Sequence, residues 1–220
     1  MIRQLIITDD GSHSLFVPEL DEQYHSIHGA IQESEHVFIR SGLALCSAPE
    51  IVIFELGFGT GLNAFLSQLF AEQNSRKITF ITSEKYQLTP TEYESLNYAS
   101  LIDAELNETF LKLHRCNWNV LSPITNNFQL LKLEGDFRNL KLELLPRFDL
   151  VFFDAFAPNK LPDLWNEMVY SKIFNQCNPG AVLVTYCAKG IVRRGLQQVG
   201  FRVERIAGPP GKKEMLRAIK

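Results

Sequence analysis

Residues 50–73 read EIVIFELGFGTGLNAFLSQLFAEQ, and they restrict the fold more than any other stretch. The apolar, β-branched run from Ile51 to Leu56 fits a buried strand, and LNAFLSQLFAEQ fits a helix with its apolar residues on one face. A strand that turns on glycines directly into a helix opens a doubly wound α/β sheet. Its turn lies where such sheets bind ligands. Gly57, Gly59 and Gly61 are spaced G-x-G-x-G, whereas the dinucleotide fingerprint is G-x-G-x-x-G. A backbone without side chains there lets a ligand come close. Glu55, just before the glycines, would repel a pyrophosphate but suits an ammonium group. S-adenosylmethionine carries one in its amino-acid part, so the loop favours that cofactor over NAD. A glycine turn with no ligand is the alternative.

The rest of the chain continues the alternation. Residues 4–18 read as a hairpin and 26–45 as a helical or mixed segment. KITFITSE is a strand, Thr89-Pro90-Thr91-Glu92 opens a helix, and helical stretches cover roughly 91–100 and 102–115. FQLLKLEGD and RFDLVFFDAF are strands, and DLWNEMVYSKIFNQC is a helix stopped by Asn178-Pro179-Gly180. AVLVTYCA is a strand, KGIVRRGLQQVG a helix, and FRVERIA and EMLRAI are strands joined through Gly208-Pro209-Pro210-Gly211. The expected fold is a Rossmann-like α/β, mostly parallel sheet closed by a C-terminal antiparallel hairpin. One domain spans 1–220, with 1–48 as an N-terminal β-hairpin and helix addition and 49–220 as the core.

Acids recur at the expected strand ends. Glu84 closes the second core strand, at the distance where a carboxylate holds ribose hydroxyls. Asp136 follows the third and would accept from an adenine amino group. Asp154 ends the fourth, after Leu150-Val-Phe-Phe153. A carboxylate next to so apolar a run is costly to desolvate and implies a task. In methyl transfer to an amine it would orient the nitrogen and take its proton. Phe156 would stack on a base. The plainer roles are a helix N-cap for Asp154 and core packing for Phe156.

Charge divides the chain. Lys189 to Lys220 holds nine basic residues and two acids, a net +7, which leaves −10 on residues 1–188. A basic end on an acidic body suits a phosphate-rich partner, although a solvated face would look the same. The five histidines show no metal spacing, and no serine sits in a nucleophile elbow. Cys46, Cys116, Cys177 and Cys187 are scattered, as reduced thiols of a cytoplasmic protein would be. No run is long enough to span a membrane.

Taken together, Tyr24-His-Ser26, the ES-x-HVFI run from Glu33 to Ile39, ELGFGTGLN, Ser83-Glu-Lys85, DAFAPNKLPDLW (154–165) and VRRGLQQVGF with GPPGKKEM (192–215) carry a resemblance. The chain resembles, over nearly its whole length, the tRNA 5-methylaminomethyl-2-thiouridine methyltransferases, the methyltransferase half of the bifunctional MnmC protein. The resemblance implies a class I methyltransferase fold, S-adenosylmethionine as cofactor, and methylation of the amine of 5-aminomethyl-2-thiouridine at the tRNA wobble position. It implies Asp154 as the catalytic acid. Glu55, Gly57, Gly59, Gly61, Asn63, Glu84, Lys85, Asp136 and Phe137 would hold the cofactor, with Tyr24 and Glu33 closing over it. Phe156, Pro158, Arg193, Arg194, Lys212 and Lys213 would meet the tRNA. No FAD-dependent oxidase domain, which the bifunctional relatives carry, is expected in these 220 residues, and no metal. A small-molecule amine as acceptor and a non-catalytic tRNA-binding subunit are the other readings.

Overall fold

A computed structural model describes residues 1–220. The N-terminal hairpin forms between β1 (Gln4–Ile7) and β2 (His13–Val17), and β3 (Glu22–Gln23) adds to it as a third antiparallel strand. α1 (Ala30–Ser34) then runs into a π-helical turn, Glu35–Arg40, and a short 3-10 turn, Leu43–Leu45. Next come β4 (Glu50–Leu56), α2 (Leu62–Gln73), β5 (Lys77–Glu84), α3 (Pro90–Glu94), α4 (Tyr98–Ile102) and α5 (Asn107–Arg115). β6 (Ser122–Pro123), β7 (Phe128–Glu134), β8 (Phe148–Phe153), α6 (Glu167–Gln176), β9 (Cys177–Thr185), α7 (Gly190–Gln198), β10 (Arg202–Ala207) and β11 (Glu214–Ile219) complete the chain.

The main sheet has the order β10-β11-β9-β8-β4-β5-β7-β6. β9, β8, β4, β5 and β7 are parallel, and β10, β11 and β6 run antiparallel to their neighbours. The chain leaves β4 toward β5 and returns on its other side as β8, so the switch point lies between β4 and β8. Both faces are covered, so the central strands are apolar on both sides. In β8, Leu150 and Phe152 join one apolar layer with Ile53, Phe65, Phe80 and Phe128. Val151 and Phe153 join the other, with Phe54, Ile81, Ile173 and Leu183.

Three local expectations are corrected. The helix expected over 91–100 is broken at Asn97. Its side chain accepts from His13 N at 2.8 Å and donates to Gly11 O at 2.9 Å, so the N-terminal hairpin draws the chain out of helix there. β9 begins at Cys177 and takes in Asn178-Pro179-Gly180 as an irregular stretch with Gly180 at φ 81°; Asn178 donates to Asp149 and Gly180 N to Lys220 O, which keep it in the sheet. α2 buries Leu62 through Gln68 continuously, not one face only, because the π-helical turn packs on the side that would otherwise meet solvent.

Candidate active site

The carboxyl ends of β4, β5, β7 and β8 open into a cavity of about 520 Å³. That is within the usual range for small-molecule and cofactor sites. The glycine loop forms its floor. Gly57, Gly59 and Gly61 have φ of 98°, 52° and 73°, a region L side chains rarely adopt. A Cβ on Gly57 would come 3.1 Å from Asp154 O, and one on Gly59 3.1 Å from the Tyr24 ring. At Gly61 it would meet His114 Nε2 at 2.7 Å. The glycines therefore let three elements converge beneath the cavity as well as admit a guest.

Glu84, at the tip of β5, lines the cavity and accepts from the backbone of Gly59 (3.0 Å) and Tyr86 (2.6 Å). Asp136 caps the 3-10 turn Phe137–Asn139 and is gripped by Arg138 at 2.6 Å and Lys85 at 3.2 Å. The Arg138 guanidinium holds the Asp136 carboxyl well below the usual carboxylate range. Arg138 was not anticipated as a site residue; its place two positions after a strand-end acid was the available signal.

Asp154 lies just past β8. Its Oδ2 accepts from Asn63 Nδ2 at 2.8 Å, so the first turn of α2 orients it. Burial pushes its carboxyl up to about 7, helped by the nearby charge of Glu33 and opposed by Asn63 and Lys212. The loop that carries it is pinned twice. Trp165 Nε1 donates to Phe156 O at 2.7 Å, and the Tyr186 hydroxyl to Ala155 O at 2.8 Å. The DAFAP…PDLW run is thus a strand tip and the tryptophan that fastens its loop.

The N-terminal segment walls the other side. Tyr24 meets Phe156 edge-on at 5.0 Å and accepts from Arg3 Nε at 2.9 Å; Arg3 also grips Glu92 with two 3.1 Å bonds. Phe156 therefore already has an aromatic partner. Glu33, on α1, is buried, accepts from Ser26 N at 2.8 Å and pairs with Lys212 Nζ at 2.6 Å.

Of the residues singled out from sequence, Tyr24, Glu33, Gly57, Gly59, Asn63, Glu84, Lys85, Asp136, Phe137, Asp154, Phe156 and Lys212 line this cavity. Glu55 does not. It is 1 % exposed behind the loop, bonded by Thr82 Oγ1 at 2.8 Å, with Oε1 unpartnered. Burial, with the charge of Asp154 added, pushes its carboxyl well above the ordinary range. From that place Glu55 supports the loop through Thr82, one layer behind the cavity wall. Gly61 sits below the wall, and Pro158, Arg193 and Arg194 lie off it. Lys213 lines a shallow neighbouring groove with Lys189, Lys212 and Tyr186. Tyr186, common to both hollows, was missed; its position just beyond the end of β9 was the signal.

A cavity of this size at the switch point, a Cβ-free loop and ring of strand-end acids fit a nucleoside with an amino-acid tail. Residues 99–220 match the family model described as S-adenosyl-L-methionine-dependent methyltransferase. The chain belongs to this methyltransferase family. Two curated relatives are the tRNA 5-methylaminomethyl-2-thiouridine biosynthesis bifunctional proteins MnmC of Ectopseudomonas mendocina and Idiomarina loihiensis. The first is 35% identical over 88% of this chain and the second 32% over 89%, and they are covered over 31% and 35% of their own lengths. The chain thus spans about a third of the curated relatives it matches. Among solved structures, that of MNMC2 from Aquifex aeolicus superposes with a TM-score of 0.81 at 28% identity, over 99% of this chain and 69% of that one. A spermidine synthase from Thermotoga maritima, 13% identical with a TM-score of 0.53, shares the fold. This methyltransferase is Rossmann-like, with its mostly parallel sheet closed by the β10–β11 hairpin.

Proposed function

We propose that this methyltransferase transfers a methyl group to the primary amine of 5-aminomethyl-2-thiouridine at the tRNA wobble position, with residues 1–220 acting as one domain whose first 48 residues wall the site. The observation that carries the reading is Asp154: a carboxyl group held by Asn63 in the wall of the switch-point cavity, on a loop fastened by Trp165 and Tyr186. The names of the similar proteins supply the acceptor's identity.

The bound cofactor supplies an electrophilic methyl group on a sulfonium. Gly57 and Gly59 would offer it backbone, Glu84 and Asp136 would hold its ribose and adenine, and Phe137 would be an apolar wall; all five line the cavity. The acceptor arrives largely as an ammonium ion, which has no lone pair. Ionised Asp154 would take one of its protons at a carboxylate oxygen and leave the nitrogen with the lone pair that methyl transfer needs. Tyr24 and Phe156, packed edge-on in the wall, would exclude water and limit how the acceptor lies. Lys189 and Lys213, in the groove next to the mouth, would meet phosphates. No helix is long and apolar enough to cross a membrane.

The test is incubation of tRNA carrying unmethylated 5-aminomethyl-2-thiouridine with the protein and S-adenosylmethionine, followed by digestion and mass measurement of the nucleosides. One added methyl on that nucleoside, dependent on the protein, is the expected result. No gain by a protein that binds the cofactor would exclude this acceptor. Methylation of the free nucleoside as fast as of the tRNA would favour a small-molecule amine.

A further inference from the structure

The cavity is walled by several acids, and some are already satisfied by the protein. Glu84 is taken by two backbone N–H groups, and Asp136 by Arg138 and Lys85. Asp163 pairs with Arg138, and three acids remain in the wall, Glu22, Asp154 and Glu33; Glu22 accepts only from the adjacent Gln23 N. Asp154 holds only the neutral amide of Asn63. Glu33 is buried, and an ionised carboxylate there needs a cation. The cation is Lys212. Its Nζ lies 2.6 Å from Glu33 Oε1 and 4.0 Å from the centroid of the Tyr186 ring.

A carboxylate facing an aromatic ring is a receptor for an alkylammonium ion: one partner supplies charge, the other a π face. Lys212 reaches it from the turn between β10 and β11, on a flexible four-carbon stem. Both expected guests of the cavity carry the same group, the cofactor in its amino-acid part and the acceptor in its aminomethyl arm. Glu55 lies behind the loop and does not line the cavity.

We propose that Glu33 and Tyr186 form the alkylammonium subsite of this cavity and that Lys212 occupies it as a stand-in until a ligand's ammonium displaces it. The proposal rests on the methyltransferase reading of the cavity. Displacement costs no net ion pair, because one ammonium replaces another, and it frees the Lys212 charge to turn toward the neighbouring groove.

Titration calorimetry with S-adenosylmethionine and with 5′-methylthioadenosine, which has the nucleoside but no ammonium, tests the cofactor arm. KM for the aminomethyl-bearing tRNA tests the acceptor arm. Lys212→Met keeps an apolar stem on Tyr186 and removes the competitor. It should tighten binding of one ammonium-bearing ligand about three- to ten-fold. Glu33→Gln should weaken the same ligand at least ten-fold, and the double variant should match Glu33→Gln. Methylthioadenosine should bind all forms alike. Which arm moves tells whether the guest is cofactor or acceptor. Lys212→Met that leaves both arms unchanged, or weakens them, overturns the stand-in role, and equal loss of methylthioadenosine in Glu33→Gln overturns the subsite. Failure of wild-type protein to bind either nucleoside would instead defeat the cofactor reading itself.

Discussion

At the scale of single residues, the proposed chemistry rests mostly on Asp154. Burial pushes its carboxyl up to about 7, so its ionisation falls within the neutral range. The two buried histidines in the same region do not compete for this signal. Burial pushes His25 down to about 4 and His114 to about 3, so both are neutral through the range in question. We expect kcat/KM to rise with pH through about 7, and Asp154→Asn to remove that limb. The variant should bind cofactor as wild type and lose roughly 10²–10⁴-fold in turnover, the usual worth of a positioned base. Wild-type turnover by the variant would end the proton-acceptor role. The same shift predicts a stability effect of definite sign. A carboxyl whose folded pKa lies above its unfolded value stabilises below the unfolded value, and that contribution is lost as pH rises through the folded one. Asp154→Asn should therefore be more stable than wild type at pH 8, by on the order of 4 kcal/mol for a carboxyl raised from 3.8 to about 7, and match it near pH 4. Thermal denaturation at the two pH values decides it; an equal offset at both would point to packing instead of charge.

At the scale of elements, the parts that read directly from sequence are those whose local pattern and tertiary role agree. Lys77–Glu84 and Leu62–Gln73 form just where the strand and helix patterns place them, because turn chemistry bounds each. The α3 start was legible from Thr89-Pro90, and it forms a capping box with Glu92. Where tertiary bonds override propensity, the sequence was silent. The break at Asn97 depends on partners at Gly11 and His13, more than eighty residues away. The site shows the same division. Acids at strand tips could be foreseen, but not which of them the fold would turn inward, as it turns Glu55, nor that a tail lysine would reach α1. Gly61 makes this argument testable. It opens α2 at φ 73°, and an added Cβ would sit 2.7 Å from His114 Nε2 and 3.1 Å from the Phe58 ring. Gly61→Ala should cost roughly 2–3 kcal/mol, the combined expense of a left-handed non-glycine and a displaced buried ring. An unfolding midpoint within 1 °C of wild type would show that the loop yields more easily than this packing implies.

At the scale of the whole molecule, the charge asymmetry seen in the sequence is partly spent inside the fold. Arg202 and Arg217 pair with Glu204, Arg205 with Glu214, and Lys212 with Glu33, while Lys220 caps the carbonyls of Phe174 and Cys177. The pairs on β10 and β11 lie at or next to the sheet edge and neutralise it locally. What remains exposed and near the cavity is Lys189 and Lys213, which line the groove sharing Tyr186 with the cavity. Arg194 is also exposed, but it lies off that groove, with its guanidinium folded back toward Gly190. A tRNA whose modified nucleoside enters the cavity would run its backbone along the groove, and each phosphate contact releases a counterion. Replacing Lys189 and Lys213 with Gln should weaken tRNA binding and lower the slope of log K against log salt by nearly two, about 0.9 per lost contact. Cofactor affinity should not change, since neither residue touches the main cavity. Replacing Arg202 and Arg205 with Gln removes as much charge from the far edge and serves as the matched comparison. If binding is local to the groove, the edge variant keeps the wild-type slope between 50 and 200 mM salt. If both variants lose slope equally, the tRNA responds to net charge alone, and the groove is not where its backbone lies.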